Sequence, residues 1–189
     1  MLCMTVAAPS PEDGAVLDGC MARIAGGDKG ALAEFYNRTH TAVYGFALSI
    51  LKNAHDAEDI LQDTYLQVWQ AALSYRPQGK PMAWIFTIVR NRCLQKLRER
   101  GRTADIPPED WEPYLKSCDS VTPEDRLLIG ACMERLTQEE RQIVVLHAVS
   151  GFRHREIAQI LQLPLPTVLS KYHRALKKLK KYVTEGEER

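Results

Sequence analysis

Apolar positions recur at the helical period along most of this chain, and no stretch alternates with the two-residue period of a strand, so the sequence reads as all-α. The pattern begins near Ala15 and breaks at Gly26-Gly27. Asp28 is placed to cap a helix that buries Ala31, Leu32 and Phe35 and runs on through Val43, Phe46, Leu48 and Leu51. After a break at Asn53 to His55, a helix over Asp56 to Ser74 gathers Ala57, Ile60, Leu61, Tyr65, Val68, Trp69 and Ala72 on one face. Its opposite face is acidic at the start, with Glu58, Asp59 and Asp63 around Gln62. Arg76 to Pro81 is a loop by its Pro and Gly content. Met82 to Arg100 forms a fourth helix, apolar nearly all round in its first half (Trp84, Ile85, Phe86, Ile88, Val89). In its second half Asn91, Gln95 and Arg98, joined by Arg102 if the helix continues, share one polar side flanked by Arg92 and Lys96.

Periodicity then stops from Gly101 to Thr122, where Pro107, Pro108 and Pro113 forbid a long helix and Trp111, Tyr114 and Leu115 are isolated apolar positions. A second domain starts with Thr122-Pro123-Glu124-Asp125, a cap followed by Pro and acids in the first turn. Thr137 to Glu140 is a capping box opening a helix that ends near Ser150-Gly151. Two further helices follow between His154 and Lys181, separated by a tight break. In the last helix Val168, Tyr172, Ala175, Leu176 and Leu179 form the apolar stripe. The expected organisation is two small helical domains of about four helices each: a disordered lead at 1–14, a first domain at 15–102, a flexible linker at 103–122 and a second domain at 123–185.

Composition adds little until its distribution is considered. The 189 residues are 45% hydrophobic and 26% charged, ordinary for a globular protein, and the net charge is only +1. Yet Pro81 to Arg102 holds six Lys or Arg against one acid, Thr103 to Asp125 holds seven acids against one Lys, and Pro166 to Val183 holds six cations and no acid. Two basic surfaces are thus separated by an acidic strap. A short helix held by its apolar stripe, with a cationic outer side, is what entry into a major groove requires, so DNA is the first expected partner. The five cysteines are odd in number and make no C-x-x-C pair, and Cys93 and Cys132 fall in apolar helical patterns, pointing to reduced thiols in a cytoplasmic protein. No metal site is expected, because His147 and His154 are too far apart for a one-face helical ligand pair and no cysteine pair completes them. No cofactor motif, glycine-rich phosphate loop or nucleophile–base pair points to an enzyme, and no apolar run is long enough to enter a membrane.

Three motifs then carry a resemblance. Asp56 to Trp69 reads DAEDILQDTYLQVW, Trp84 to Asn91 reads WIFTIVRN, and Glu156-Ile157-Ala158 is followed by Thr167-Val168-Leu169-Ser170-Lys171. The last also fits the output domain of a conventional helix-turn-helix regulator, the alternative reading, with an unknown domain at the N-terminus. In this order and spacing, from Ala15 to Val183, the three together resemble the extracytoplasmic-function group of sigma factors, bacterial RNA polymerase initiation subunits.

That resemblance implies roles. Asp56, Glu58, Asp59, Gln62 and Asp63 would dock on the β′ clamp helices of core polymerase, with the β flap a further partner surface. A charged first turn stabilising its own helix is the plainer account of the same residues. Arg76, Lys80, Arg90, Asn91, Arg92, Gln95, Lys96 and Arg98 would bind and melt the −10 element, Asn91 reading a base and the cations holding phosphates. Trp84 is read as core. Thr167, Ser170, Lys171, His173, Arg174 and Lys177 would meet the −35 element, with Arg174 fitted to take guanine bidentately. Lys178, Lys180 and Lys181 lie too far along to read bases. The acidic linker is either a nucleic-acid mimic or a tether. An anti-sigma factor is the implied inhibitor, and no catalysis or cofactor is implied. The chain departs from the family at Gln95, often Asp, and at Arg153, where a capping Ser is usual and whose loss costs about 1 kcal/mol unless another group caps. It also departs at Pro164 and Pro166, and at Leu165 and Leu169, which are apolar on the presumed DNA side.

Overall fold

The computed structural model describes residues 11–77, 80–100, 130–148 and 150–187. The strap at 103–122, the capping segment Thr122 to Asp125 and Arg102 lie outside the described residues, as do positions 1–10 of the lead. Helices α1 (Pro11–Ala25), α2 (Lys29–Leu51), α3 (Ala54–Ala71) and α4 (Pro81–Arg100) form the first half, with a 3₁₀ turn at Ala72–Ser74 after α3. The second half holds a helical segment at 130–134, then α5 (Gln138–Ala148), α6 (His154–Leu161) and α7 (Leu165–Glu187). No strand occurs among the described residues.

Local chemistry sets most of these boundaries. Asp28 accepts the Ala31 N–H at 3.1 Å, and Asn53 accepts the Asp56 N–H at 2.8 Å, so each supplies one of the acceptors a helix start lacks. Thr137 and Glu140 cap reciprocally, Thr137 N donating to the Glu140 carboxylate and Glu140 N to Thr137 Oγ1. Four expected boundaries move. Helix α1 starts at Pro11, inside the expected lead, since Pro suits a first turn whose N–H would have no partner. Helix α3 starts at Ala54, because Asn53 rather than a later residue is the cap; it ends at Ala71 and tightens to a 3₁₀ turn; and α4 takes Pro81 as its first residue.

Helix α2 is the axis of the molecule. Its residues from Val43 to Leu51 are buried on every side, because α1, α3 and α4 surround it and α5 of the second half closes it. The halves therefore share a core. Phe86 of α4 stands edge-on to Phe46 of α2 at 5.0 Å and to Phe152, before α6, at 5.3 Å, and each such pair contributes about 0.5–1.5 kcal/mol beyond its burial. Buried Arg141 of α5 donates to the Ser49 carbonyl of α2, one of the last-turn acceptors a helix leaves open. In α7, Val168 and Ala175 are fully buried and Tyr172 and Leu179 pack on them, as expected, but Leu176 is exposed. At 100° per residue it lies about 80° round the helix from Val168, off the stripe that positions 168, 172, 175 and 179 define. Cys20, Cys93 and Cys132 are buried free thiols, and burial pushes Cys93 up to about 12, far from the reactive range.

Candidate nucleic-acid interface

Along α3, Asp56, Asp59, Asp63 and Gln67 follow one another at three- and four-residue steps, one face of a helix. That face looks onto α4, where Arg92 and Lys96 are one turn apart. Lys96 Nζ meets Asp56 at 2.9 Å and Asp59 at 2.8 Å. Arg92 donates to Gln67 Oε1 at 2.8 Å through Nε and to Asp63 at 3.1 Å through Nη1. The pairs close over an open groove of about 350 Å³ lined by Asp59, Gln62, Asp63, Arg92, Gln95 and Lys96. Burial works against the Lys96 ammonium, but the hydrogen bonds to Asp59 and Asp56 outweigh it and raise its pKa. Asp56 is buried with its side chain 5% exposed, whereas Asp59 and Asp63 are about half exposed at 47% and 52%. Asn91, Gln95 and Arg98 line the outer side of α4, with Gln95 donating to Glu99 and Arg98 to the Leu94 carbonyl. Arg90 is half-buried, and burial lowers its pKa.

The α6–α7 pair is built by unusual punctuation. Arg153 offers no capping oxygen, but the Glu156 carboxylate accepts the Arg153 N–H at 3.0 Å, satisfying the start of α6 from the opposite direction. Gln162 ends α6 in the left-handed region with φ 54°, and Leu163 N donates back to Ala158 O at 3.0 Å. The Pro164 carbonyl accepts from Thr167 N and Val168 N, and Pro166 sits in the first turn, where no N–H is needed. Ser170, His173, Arg174 and Lys177 are exposed on α7, while Thr167 and Lys171 are half-buried. Lys171 pairs with Glu139 and Lys178 with Glu140, so two cations of the row are engaged with the start of α5. Burial raises Glu140, but bonds from Lys178 and the Thr137 backbone prevail and hold it below the usual carboxylate range.

A second cleft lies between the halves, lined by Tyr75, Arg76, Lys80, Trp84, Thr87 and, from α6, Gln159 and Ile160. Trp84 packs on Tyr75 at 5.1 Å and is only half-buried. Lys80 Nζ lies 3.8 Å from Glu156.

These features lie within two matched sequence profiles: Sigma-70 region 2 over residues 35–103 and Sigma-70, region 4 over residues 126–179. The chain belongs to the extracytoplasmic-function group of the sigma-70 family. Relatives named ECF RNA polymerase sigma factor SigK include one from Mycobacterium ulcerans, 29% identical over 87% of this chain and 91% of the relative. Another, from Mycolicibacterium vanbaalenii, is 28% identical over 93% of both. The fold is that of CnrH, solved in complex with the cytosolic domain of CnrY, at TM-score 0.64 and 24% identity over 90% of this chain and 98% of that one. It is also that of RpoE of Bartonella quintana, solved with the anti-sigma factor NepR, at TM-score 0.63 and 24% identity over 80% of this chain and 96% of that one. The protein is a sigma factor, a class that initiates transcription and is not enzymatic, and among its described residues no helix is long and apolar enough to cross a membrane.

For this sigma factor, the sequence singled out an acidic row and a basic row as separate surfaces, and the fold sets them face to face. Glu58, Gln62 and Asp63 are exposed on α3. Missed in the sequence were Gln67, Glu139, Glu140 and Glu156, the partners of Arg92, Lys171, Lys178 and Lys80. The only local signal was that Glu139 and Glu140 begin a helix. His147 and His154, seven positions apart and on different helices, stack at 4.5 Å with Tyr172 edge-on to both. No cluster of three or more metal-ligating side chains forms among the described residues.

Proposed function

We propose that this sigma factor docks on core polymerase through the exposed acids of α3, holds the melted −10 strand with α4 and the loop before it, and reads the −35 element with α7. The single observation carrying this is the paired match to regions 2 and 4 on two helical units whose outer faces present Asn91, Gln95 and Arg98 in one and Ser170, His173, Arg174 and Lys177 in the other. Lone amides and cations at helical spacing suit a single strand held by its phosphates and an unstacked base. Arg174, exposed at mid-helix with Ser170 one turn before it, suits bidentate readout of guanine in a major groove.

The packing of the halves bears on control. Helix α6 covers the cleft behind Lys80 and Trp84, so DNA reaching that loop requires α6 to withdraw. CnrH was solved with the cytosolic domain of CnrY and RpoE with the anti-sigma factor NepR; an anti-sigma factor that binds this chain and holds its halves together would keep it from promoters. Transcription in vitro with bacterial core polymerase on a genomic template library tests the reading. Initiation at a defined set of promoters is the expected result, and failure to initiate on any template refutes it.

A further inference from the structure

The α3–α4 ion pairs fall into two layers. The inner layer is Asp56 with Lys96, whose side chains are 5% and 23% exposed; it is a strut holding α3 on α4. The outer layer is Asp63 with Arg92, 52% and 33% exposed, together with Asp59, 47% exposed, as the second carboxylate on Lys96. An exposed pair of this kind shifts an equilibrium by at most about fivefold, so an incoming ion can exchange it, whereas the inner pair resists exchange. The groove beneath is open and lined by Gln62, Gln95 and Glu99 besides the paired charges. Buried Ile60 also lines it, and the groove's volume of about 350 Å³ can admit a guanidinium or ammonium from outside.

We propose that Asp63 and Arg92 form an exchangeable lock that couples docking on polymerase to capture of the promoter strand. This rests on the function proposed above. A cationic side chain of the partner helix enters the groove and takes Asp63 and Asp59. The Arg92 guanidinium, left with only Gln67, swings to a DNA phosphate on the Asn91–Gln95 side of α4. Lys96 stays anchored by Asp56, so the gain falls chiefly on Arg92. By linkage the coupling is reciprocal: phosphate binding at Arg92 frees Asp63 for polymerase by the same factor. The lock therefore has the basic helix hold single strands weakly in the free chain. Its cations are neutralised at home by the carboxylates that polymerase needs.

The test uses the full chain without core polymerase and a labelled single-stranded oligonucleotide carrying the promoter's −10 segment, with affinity measured by anisotropy across a salt series. Asp63→Ala is compared with Glu34→Ala, which removes the same charge from ion pairs with Arg23 of α1 and Arg38 of α2, none of which lines the groove. Asp63→Ala is expected to bind about three- to fivefold tighter at low salt and to steepen the slope of log affinity against log salt by about 0.7, one added phosphate contact. Glu34→Ala changes affinity by less than about twofold with the slope unaltered, as expected for a remote charge. In an Arg92→Gln background Asp63→Ala gives no gain. Affinity of Asp63→Ala within that of Glu34→Ala overturns the lock, and so does a gain that persists without Arg92. If the chain initiates transcription with core yet gives either of those results, only the lock fails; if it never initiates, the functional reading beneath the lock fails first.

Discussion

Arg141 offers a sharp quantitative handle on how this sigma factor holds together. It is 1% exposed, yet among the described residues its guanidinium hydrogen-bonds to backbone carbonyls and to no carboxylate. Nε donates to Met133 O at 3.0 Å, Nη2 to Leu136 O at 3.1 Å and Nη1 to Ser49 O at 3.3 Å. The first two acceptors end the helical segment at 130–134 and its following turn; the third belongs to the last turn of α2. A cation at helix C-termini is favoured by the dipole as well as by the bonds. Burial lowers the Arg141 pKa, the nearby Glu134 charge opposing it, but no arginine in a folded protein gives up its proton. Replacing Arg141 by Met fills similar space and removes the charge, which returns part of the desolvation cost. It cannot remove the carbonyls: Met133 O keeps the Leu136 N–H at 3.3 Å, but Ser49 O and Leu136 O lose their Arg141 donors, each at about 1–3 kcal/mol if left dry. The expected net loss is about 2–4 kcal/mol, a large share of the roughly 5–15 kcal/mol that stabilises a typical domain. In a chain of this size that corresponds to a melting point lower by about 4–16 °C. Arg141→Lys keeps the charge but not the planar fork, and is expected to lose about half as much. Urea denaturation followed by far-ultraviolet circular dichroism measures both. If Arg141→Met unfolds at the wild-type midpoint with an unchanged slope, the guanidinium does not hold these carbonyls and the assignment is wrong.

Three further outcomes follow from the same geometry. Among the described residues His154 Nε2 is buried without a hydrogen-bond partner, and burial first, then His147 and His173, lower its pKa. The unfolded chain therefore takes up its proton more readily, so stability is complete above about pH 6.5 and falls as pH drops below it; His154→Phe should flatten the melting temperature between pH 7 and 5, and an undiminished fall would place the titration elsewhere. Arg174→Ala should relax discrimination at one upstream base pair by about 1–3 kcal/mol in competition binding with holoenzyme, and an equal loss on every promoter would reduce it to a phosphate contact. Changing Asp59 and Asp63 together to Asn should weaken capture of core polymerase in a pull-down while leaving the circular dichroism melt of the chain nearly unmoved; unchanged capture would remove α3 as the docking face.

Much of the fold was legible because its determinants are local. Asp28, Asn53 and the Thr137–Glu140 box each act within three residues, and the stripe of Val168, Tyr172 and Ala175 needs only the helical period. The family, too, is carried by short motifs whose residue types and order survive without any knowledge of contacts. Three boundaries moved where a proline or a competing cap shifted a helix by a few residues, at Pro11, Ala54 and Pro81, and a fourth where α3 tightens into a 3₁₀ turn after Ala71.

What local pattern does not encode is which charge meets which. Arg141 sits in the run QEERQ and has the sequence appearance of a solvated helix cation, yet two ends of backbone from elsewhere surround it. Lys96 and Asp56 are forty positions apart and each reads as surface, one basic and one acidic, until α3 and α4 are laid side by side. His147 and His154 share no helical face and still stack, because a turn brings α6 back over the end of α5. The sequence by itself determined the helices, the two sigma regions and the residue types on the acidic and basic faces proposed for polymerase and promoter. Only the tertiary structure decided which of those charges are already spoken for, because Coulomb and hydrogen-bond energies depend on distance in space and on burial, and neither is a property of position along the chain.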